Sequence, residues 1–524
     1  MGLPFVGNKI HFATNGSAKP KASARNEVAA PRVVGPSAQD AIPLHMRIKL
    51  ADIRAELPPL VHLALPLIAG ELGWVSMSLV DTIMLGHLPN SALAMSSAAL
   101  AQVLFNTLCF GVGGVLLGLD TLISQALGAK QQSEANGWLL HGLVMAVALS
   151  ALLLAAFAFG PLLLVHLPVD HAILAQAVPA MTGLNYGTLP LLLYFTLRRY
   201  LQAANHGRPI AFALISANLI NAAGDRLLIY GHHWQRITVP AFGVLGSSWS
   251  TSFARLYLML VLLAAVWWLN RKHGYGLGTI FRGALTSPRA IAARIQYQHL
   301  RRLFLLGAPA GASIFVEIGI FALVTTLIAT LGRLPLAGHE VALQCASTTF
   351  MVPFAISSAT SVRVGHAIGR MRIGRATPQD AAAAGWSGIG AGASVMLVAS
   401  MFFLAIPAQI ARLFTPDPGV IAAAVPLLLI SAGFQFFDGV QINASGALRG
   451  TGNTTAPLFT QLVCYWVVGM PLGVWLGFHE RLGAAGLWWG LLIALTGAAF
   501  LLLYFWRRTM RGLAGAGTAA TGLG

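Results

Sequence analysis

Eight charged residues interrupt stretches that are otherwise apolar. Six are acids (Glu71, Asp81, Asp120, Asp225, Glu317 and Asp438) and two are bases (Arg226 and Arg255). A charge at the centre of a helix in hydrocarbon costs about 2.5 to 3.5 kcal/mol on insertion scales, so such residues usually face an interior cavity and serve a function there. An excess of carboxylates attracts cations, and buried carboxyls can exchange protons near neutral pH. Asn221 and Asp225 stand four residues apart, on one helical face, where an amide oxygen and a carboxylate can hold a small cation together. The bland alternative is that Asp225 neutralises Arg226 or Arg255 while Asn221 hydrogen-bonds within a bundle. Spacing alone leaves both readings open. Glu317 and Asp438 have no basic neighbour in sequence, which favours function. Glu71 and Asp120 are weaker candidates, and His62 and His141 read as ordinary buried or interfacial histidines. Phe434, Phe436 and Phe437 read first as packing or lipid contact, and second as apolar walls beside the negative charge of Asp438.

The elements that must position these residues are membrane helices. Of 524 residues, 56% are apolar and 9% charged, against roughly 25% charged in a soluble domain. Apolar blocks long enough to cross about 30 Å of hydrocarbon recur along the chain. Twelve are expected, over 57–85, 92–127, 137–164, 172–197, 208–230, 241–269, 303–331, 336–368, 382–410, 420–447, 456–478 and 483–506. Pro66, Pro190, Pro309 and Pro353 fall inside them as candidate bends, since neighbours in a bundle can satisfy the freed carbonyls.

The net charge of +17 sorts by side. Alternate loops place nineteen of the 33 Lys and Arg on one face, the N-terminal tail adds eight to that face, and the opposite face holds only Arg226, Arg236, Arg333, Arg412 and Arg481. The positive-inside rule then puts both termini in the cytoplasm. Basic residues scattered over short loops and tails, without interleaved aromatics on one surface, argue against nucleic acid. The tail up to about residue 45 has no apolar block and reads as a disordered basic extension, with MRIKLADIRAELPPL from Met46 as an alternative start.

The halves resemble each other weakly. LALPLIAG around Pro66 aligns with LGAPAGAS around Pro309, and HGRPIAF at Pro209 aligns with TTAPLF at Pro457. Two six-helix repeats inserted the same way up imply pseudo-twofold symmetry along the membrane normal and a central cleft. The fold class expected is thus an all-α integral membrane protein, with twelve helices in two pseudo-symmetric six-helix lobes. The expected domains are an extension over 1–45, an N-lobe over 46–270, a linker over 271–302, a C-lobe over 303–508 and a flexible tail over 509–524. A Walker A motif is absent, HEVAL at His339 lacks the second His of a zinc-protease site, and GIGAG at 388–392 reads as close helix packing. The separated Cys109, Cys345 and Cys464 give no metal or disulfide framework. An enzyme is not expected.

Several long motifs occur in order: VDTIMLGHLPNSALA through SQALGAK, LRRYLQAANHGRP, LGAPAGASIFVEIGIFALVTTLIATLGRLPLAGHEVALQ through MVPFAISSATSVRVGHAIG, and FQFFDGVQINASGALRGTGNTTAP. They resemble the NorM-type branch of the MATE multidrug and toxic compound extrusion transporters, over nearly everything after Met46. The resemblance implies export of amphiphilic, mostly cationic compounds from a bacterial cytoplasmic membrane in exchange for H⁺ or Na⁺, with no other cofactor and a monomer as the working unit. It further implies an N-lobe cation site at Asp81, Asn221, Asp225 and Thr251, and a C-lobe cation or substrate site at Glu317 and Asp438. Either group is a candidate Na⁺ site. Phe434 stands where sodium-dependent members can carry a Tyr, which removes one hydroxyl ligand. The wider superfamily adds the alternative of exporting an organic acid or a lipid-linked precursor.

Overall fold

A computed structural model describes residues 49–164, 170–234, 237–278 and 294–521. The extension over 1–45 and the middle of the expected linker lie outside them. Among the described residues the chain is helical, apart from a short antiparallel hairpin of β1 (His232–Trp234) and β2 (Ile237–Val239). The first half contains α1 (Leu50–Gly86), α2 (Ser91–Gly113), α3 (Gly118–Gly128), α4 (Gln132–Leu164), α5 (His171–Asn185), α6 (Thr188–Ala203), α7 (Arg208–Tyr230) and α8 (Val244–His273). The second contains α9 (Tyr297–Ala329), α10 (Arg333–Arg372), α11 (Pro378–Ala405), α12 (Pro407–Arg412), α13 (Pro418–Thr451), α14 (Thr455–Gln461), α15 (Met470–Val474) and α16 (Ala484–Thr521).

Among the described residues, 11 helical segments are long and apolar enough to span a membrane. The remaining expected span, 172–197, is the pair α5 and α6, broken at Tyr186–Gly187. The break frees carbonyls that hydrocarbon cannot satisfy. Side chains of α8 take over: Ser252 Oγ donates to Gly183 O at 2.7 Å and Arg255 Nη1 to Leu184 O at 3.4 Å. The candidate bends Pro66, Pro309 and Pro353 lie inside the continuous helices α1, α9 and α10. Two interruptions fall at glycines, and a third separates α11 from α12 at Ile406–Pro407. Expected span 2 passes from α2 through a tight 3₁₀ turn (Gly114–Leu117) into α3, where glycine lets α9 approach at Gly311.

Small residues also set the last pairing. Expected span 11 contains two π-helical stretches, Leu462–Gly469 and Trp475–His479. Gly469, Gly473 and Gly477 face Gly486, Gly490 and Ala494, and a β carbon at Gly490 would lie 2.5 Å from the Gly473 Cα. Such stripes are how helices pack without a hydrophobic driving force between them. GIGAG likewise packs against neighbouring helices, with Gly388 on Thr360 and Gly392 on Asn443. The helix α16 continues to Thr521, beyond the expected boundary at 508, so the expected flexible tail is helical backbone over most of its length.

Two buried apolar cores result. One is built mainly from α1–α8 and takes in Ala355, Ile356, Ala359 and Val362 of α10. The other lies within α9–α16. Cys109, Cys345 and Cys464 are buried and free.

Candidate functional site

The first group of acids is assembled by α1, α7 and α8. Asp225 and Asn221, one turn apart on α7, are both 0% exposed, and Asp81 of α1 is 2% exposed. Asn221 Nδ2 donates to Asp81 Oδ1 at 2.5 Å and to Asp225 Oδ2 at 2.9 Å. One primary amide has two N–H bonds, so it can bridge two carboxyls. Thr251 Oγ1 of α8 donates to Asp81 Oδ2 at 3.2 Å, and Gln102 of α2 approaches the same oxygen at 3.5 Å. The shared amide holds the two carboxyls close together. Ser250 Oγ fixes the bridge by donating to Asn221 O at 2.8 Å. Two buried oxygens, Asn221 Oδ1 and Asp225 Oδ1, have no hydrogen-bond partner. The four residues expected here are therefore together, with Gln102 added.

Asp225 forms no ion pair with Arg226 or Arg255 among the described residues. Arg226 is exposed and lies 5.5 Å from the centre of the Tyr230 ring. Arg255 is buried with its guanidinium 4.3 Å from the centre of the Phe105 ring, and it caps the broken helix.

The second group is assembled by α9, α13 and α14. Gln441 Nε2 donates to Glu317 Oε1 at 3.1 Å and to Asp438 Oδ1 at 3.2 Å. Gln461 Nε2 donates to Glu317 Oε2 at 3.1 Å, and its own amide oxygen accepts from Ser313. The Tyr465 hydroxyl faces Glu317 without a well-formed hydrogen bond. Gln441 Oε1, like Asn221 Oδ1, is buried and unpartnered. Asp438 is buried and Glu317 half-buried. Glu317 and Asp438 are thus joined through Gln441, with Gln461 on Glu317 alone; neither glutamine stands out in the sequence. Gln441 stands three residues after Asp438, one helical turn, which is the signal that could have found it. Gln461 carries no comparable signal.

Phe434 does not join this group. It is 1% exposed and stacks on Trp488 at 5.7 Å between ring centres, inside the second core. That burial fits the packing reading. Phe436 and Phe437 pack edge to face at 5.4 Å.

The weaker acids are paired with bases. Arg198 binds Glu71, and Arg199 Nη1 lies 3.3 Å from Asp120 Oδ2, with Arg449 Nε at 4.0 Å from the same oxygen. These arginines were assigned to loops by their position in sequence, and all three are buried within helices. Burial without a partner would cost each of them several kcal/mol. His62 is exposed, whereas His141 is buried, with Nδ1 2.7 Å from Gly137 O.

Asp120 and Arg449 also mark where the two halves meet. Thr121 Oγ1 donates to Arg449 O at 2.5 Å, Gln125 Nε2 to Gly450 O at 3.0 Å, and Arg372 Nη2 to Gln125 Oε1 at 2.5 Å. Arg363 Nη2 lies 2.6 Å from Glu56 Oε2, and His366 Nε2 is 2.8 Å from Ala203 O. All of these lie toward one end of the bundle, with the α3–α4 and α10–α11 turns and their basic residues. We refer to it as the basic end.

A many-span helical bundle in two halves, with bridged acids buried inside it, is a polytopic membrane protein carrying titratable groups within the bilayer. Its family follows from comparison: the chain belongs to the MatE family, whose description matches residues 66–227 and 309–475. The two matches begin at Pro66 and Pro309, the pair that aligns the halves. The chain is 31% identical to multidrug resistance protein PmpM of Pseudomonas aeruginosa, over 90% of this chain and 94% of that protein. It is 31% identical to the probable multidrug resistance protein NorM of Geobacillus kaustophilus, over 86% and 95%. Its fold matches the eukaryotic MATE transporter AtDTX14, with a TM-score of 0.73 at 20% identity, over 89% of this chain and 99% of that one.

Proposed function

We propose that this protein is a secondary antiporter that exports amphiphilic, mostly cationic compounds in exchange for H⁺ or Na⁺. It works as a monomer by alternating access, in a bacterial cytoplasmic membrane with the basic end and both termini on the cytoplasmic side. The observation that carries the reading is the pair of amide-bridged acid groups, Asp81–Asn221–Asp225 and Glu317–Gln441–Asp438, neither bonded to a base. The multidrug resistance names of its relatives and the excess of positive loops on one side support the rest.

Coupling follows from competition. Two carboxylates at such short range repel unless a proton or cation lies between them. An ion arriving from outside relieves that repulsion and weakens the hold on a cationic compound, which leaves outward. A compound entering from the cytoplasm displaces the ion in turn. Inward movement of one charge gains about 2.3 kcal/mol per 100 mV, so the membrane potential assists if net charge moves inward. We favour H⁺ over Na⁺ as the partner, because Asp225 adds a second acid beside Asp81 and one proton can be shared between the two carboxyls that Asn221 bridges. An anionic cargo is disfavoured, because neither acid group is bonded to a base.

Ethidium efflux from vesicles under separately imposed pH and Na⁺ gradients tests the reading. Efflux driven by the pH gradient alone is expected. Absence of efflux under either gradient would refute antiport.

A further inference from the structure

A cavity of about 320 Å³ opens at the basic end, on the seam between the two halves. That is at the small end of ligand cavities, which begin at roughly 300 Å³. Lys130, Asn205 and Tyr275 line it from the first half, and His366, Arg370 and Arg375 from the second. No acid lines it. Among the described residues, Lys130, Arg370 and Arg375 take part in no ion pair and no side-chain hydrogen bond.

Loop bases at this end follow from topology, and helix C-termini welcome cations. Here the nearby C-termini are already capped. Lys130 N and Gln131 N bond to Leu127 O and Ala126 O behind α3, Asn205 N and His206 N to Gln202 O and Leu201 O behind α6, and both Ile373 N and Arg375 N to Arg370 O behind α10. Most of the terminal carbonyls are used, and the donors of three cationic side chains are left over. Two of the residues that line the cavity, Lys130 at φ 58° and Asn205 at φ 60°, are the left-handed residues that close these caps.

We propose that the cavity binds a phosphate-bearing anion, either the headgroup of an anionic phospholipid or a soluble phosphate ester, through Lys130, Arg370 and Arg375. Convergent cations facing an aqueous mouth suit tetrahedral oxyanions with several acceptors, and basic pockets between membrane helices on the cytoplasmic side take such headgroups. Both halves contribute, so a bound anion ties them together at this end.

The test uses the purified full-length chain and the triple variant Lys130→Ala, Arg370→Ala, Arg375→Ala. Glycerophosphoglycerol, a headgroup without acyl chains, is titrated against the thermal unfolding midpoint in detergent. Retention of phosphatidylglycerol is measured by native mass spectrometry after extraction from nanodiscs of phosphatidylcholine with added phosphatidylglycerol. Wild type binds at least one probe about tenfold more tightly than the triple variant, as expected from losing several charge contacts. Binding of the lipid alone identifies a headgroup, and binding of both probes a soluble ester. The double variant Arg370→Lys, Arg375→Lys keeps the charge and retains binding within about threefold. Equal binding by wild type and triple variant, binding of neither probe, or a charge-keeping variant as weak as the triple would overturn the site.

Discussion

The two acid groups share one construction and differ in enclosure. In the first half, Asn221 donates to Asp81 and Asp225; in the second, Gln441 donates to Glu317 and Asp438. Each group takes one acid from the first long helix of its half, α1 or α9, and its second acid and amide from a later helix. That later helix differs, α7 in one half and α13 in the other, so repeat symmetry does not explain the likeness. The same physical problem, two acids held close in a bundle, meets the same solution. Enclosure separates them. Asp81 and Asp225 are both buried and share the Asn221 amide, whereas Asp438 is buried and Glu317 partly exposed, the two sharing the Gln441 amide. A sealed pair suits a proton or small ion, and a more open one suits a larger cation. We therefore propose that ion coupling belongs to the first half and contact with the exported compound to the second.

Breaking the sealed pair should have the largest effect. Asp81→Asn is expected to abolish gradient-driven ethidium efflux in proteoliposomes with expression retained; efflux like wild type would remove the first half from the coupling mechanism. Next comes a paired acid as the contrasting case. Asp120→Asn leaves Arg199 and Arg449 buried without their counter-charge, so stability should fall by about 3 to 5 kcal/mol. A thermal midpoint unchanged from wild type would show the ion cluster to be dispensable.

Glu317→Gln should weaken ethidium binding about tenfold, the size of one charge contact, while proton coupling of the residual flux persists. Loss of coupling with binding intact would invert the assignment of the halves. Gln441→Leu, read by the same binding assay, should cost less, about threefold, because it removes neutral donors and leaves both acids. The smallest effect is expected from Phe434→Tyr. The new hydroxyl would sit against Trp488 in the core, costing about 1 kcal/mol for want of a partner. The vesicle assay should show no new Na⁺ dependence.

Much of the architecture was legible, because hydrocarbon demands long apolar helices and tolerates few charges. Asp81, Asn221, Asp225, Glu317 and Asp438 stood out for that reason. Less legible was what sorts one buried acid from another. Glu71 and Asp120 break the apolar pattern just as Asp81 does, and only the fold brings Arg198, Arg199 and Arg449 to them. Those arginines looked like loop residues because they lie near helix ends. Gln441 and Gln461 carry no charge to betray them in a polar-tolerant bundle. The break at Tyr186–Gly187 was hidden because α5 and α6 together read as one apolar block, and its cause, capping by Ser252 and Arg255, is a long-range contact. Phe434 follows the first of its two readings, packing, because an aromatic beside an acid in sequence can point away from it on a helix.

The central claim is that binding of the exported cation at Glu317 and Asp438 expels the proton held by Asp81 and Asp225. Proton release on adding ethidium to purified protein in weakly buffered detergent solution measures that expulsion without any gradient. Wild type is expected to release protons as ethidium binds, Asp81→Asn to release none, and Glu317→Gln to release them only at higher ethidium concentration. Undiminished release from Asp81→Asn, or ethidium binding by wild type without release, would contradict the account.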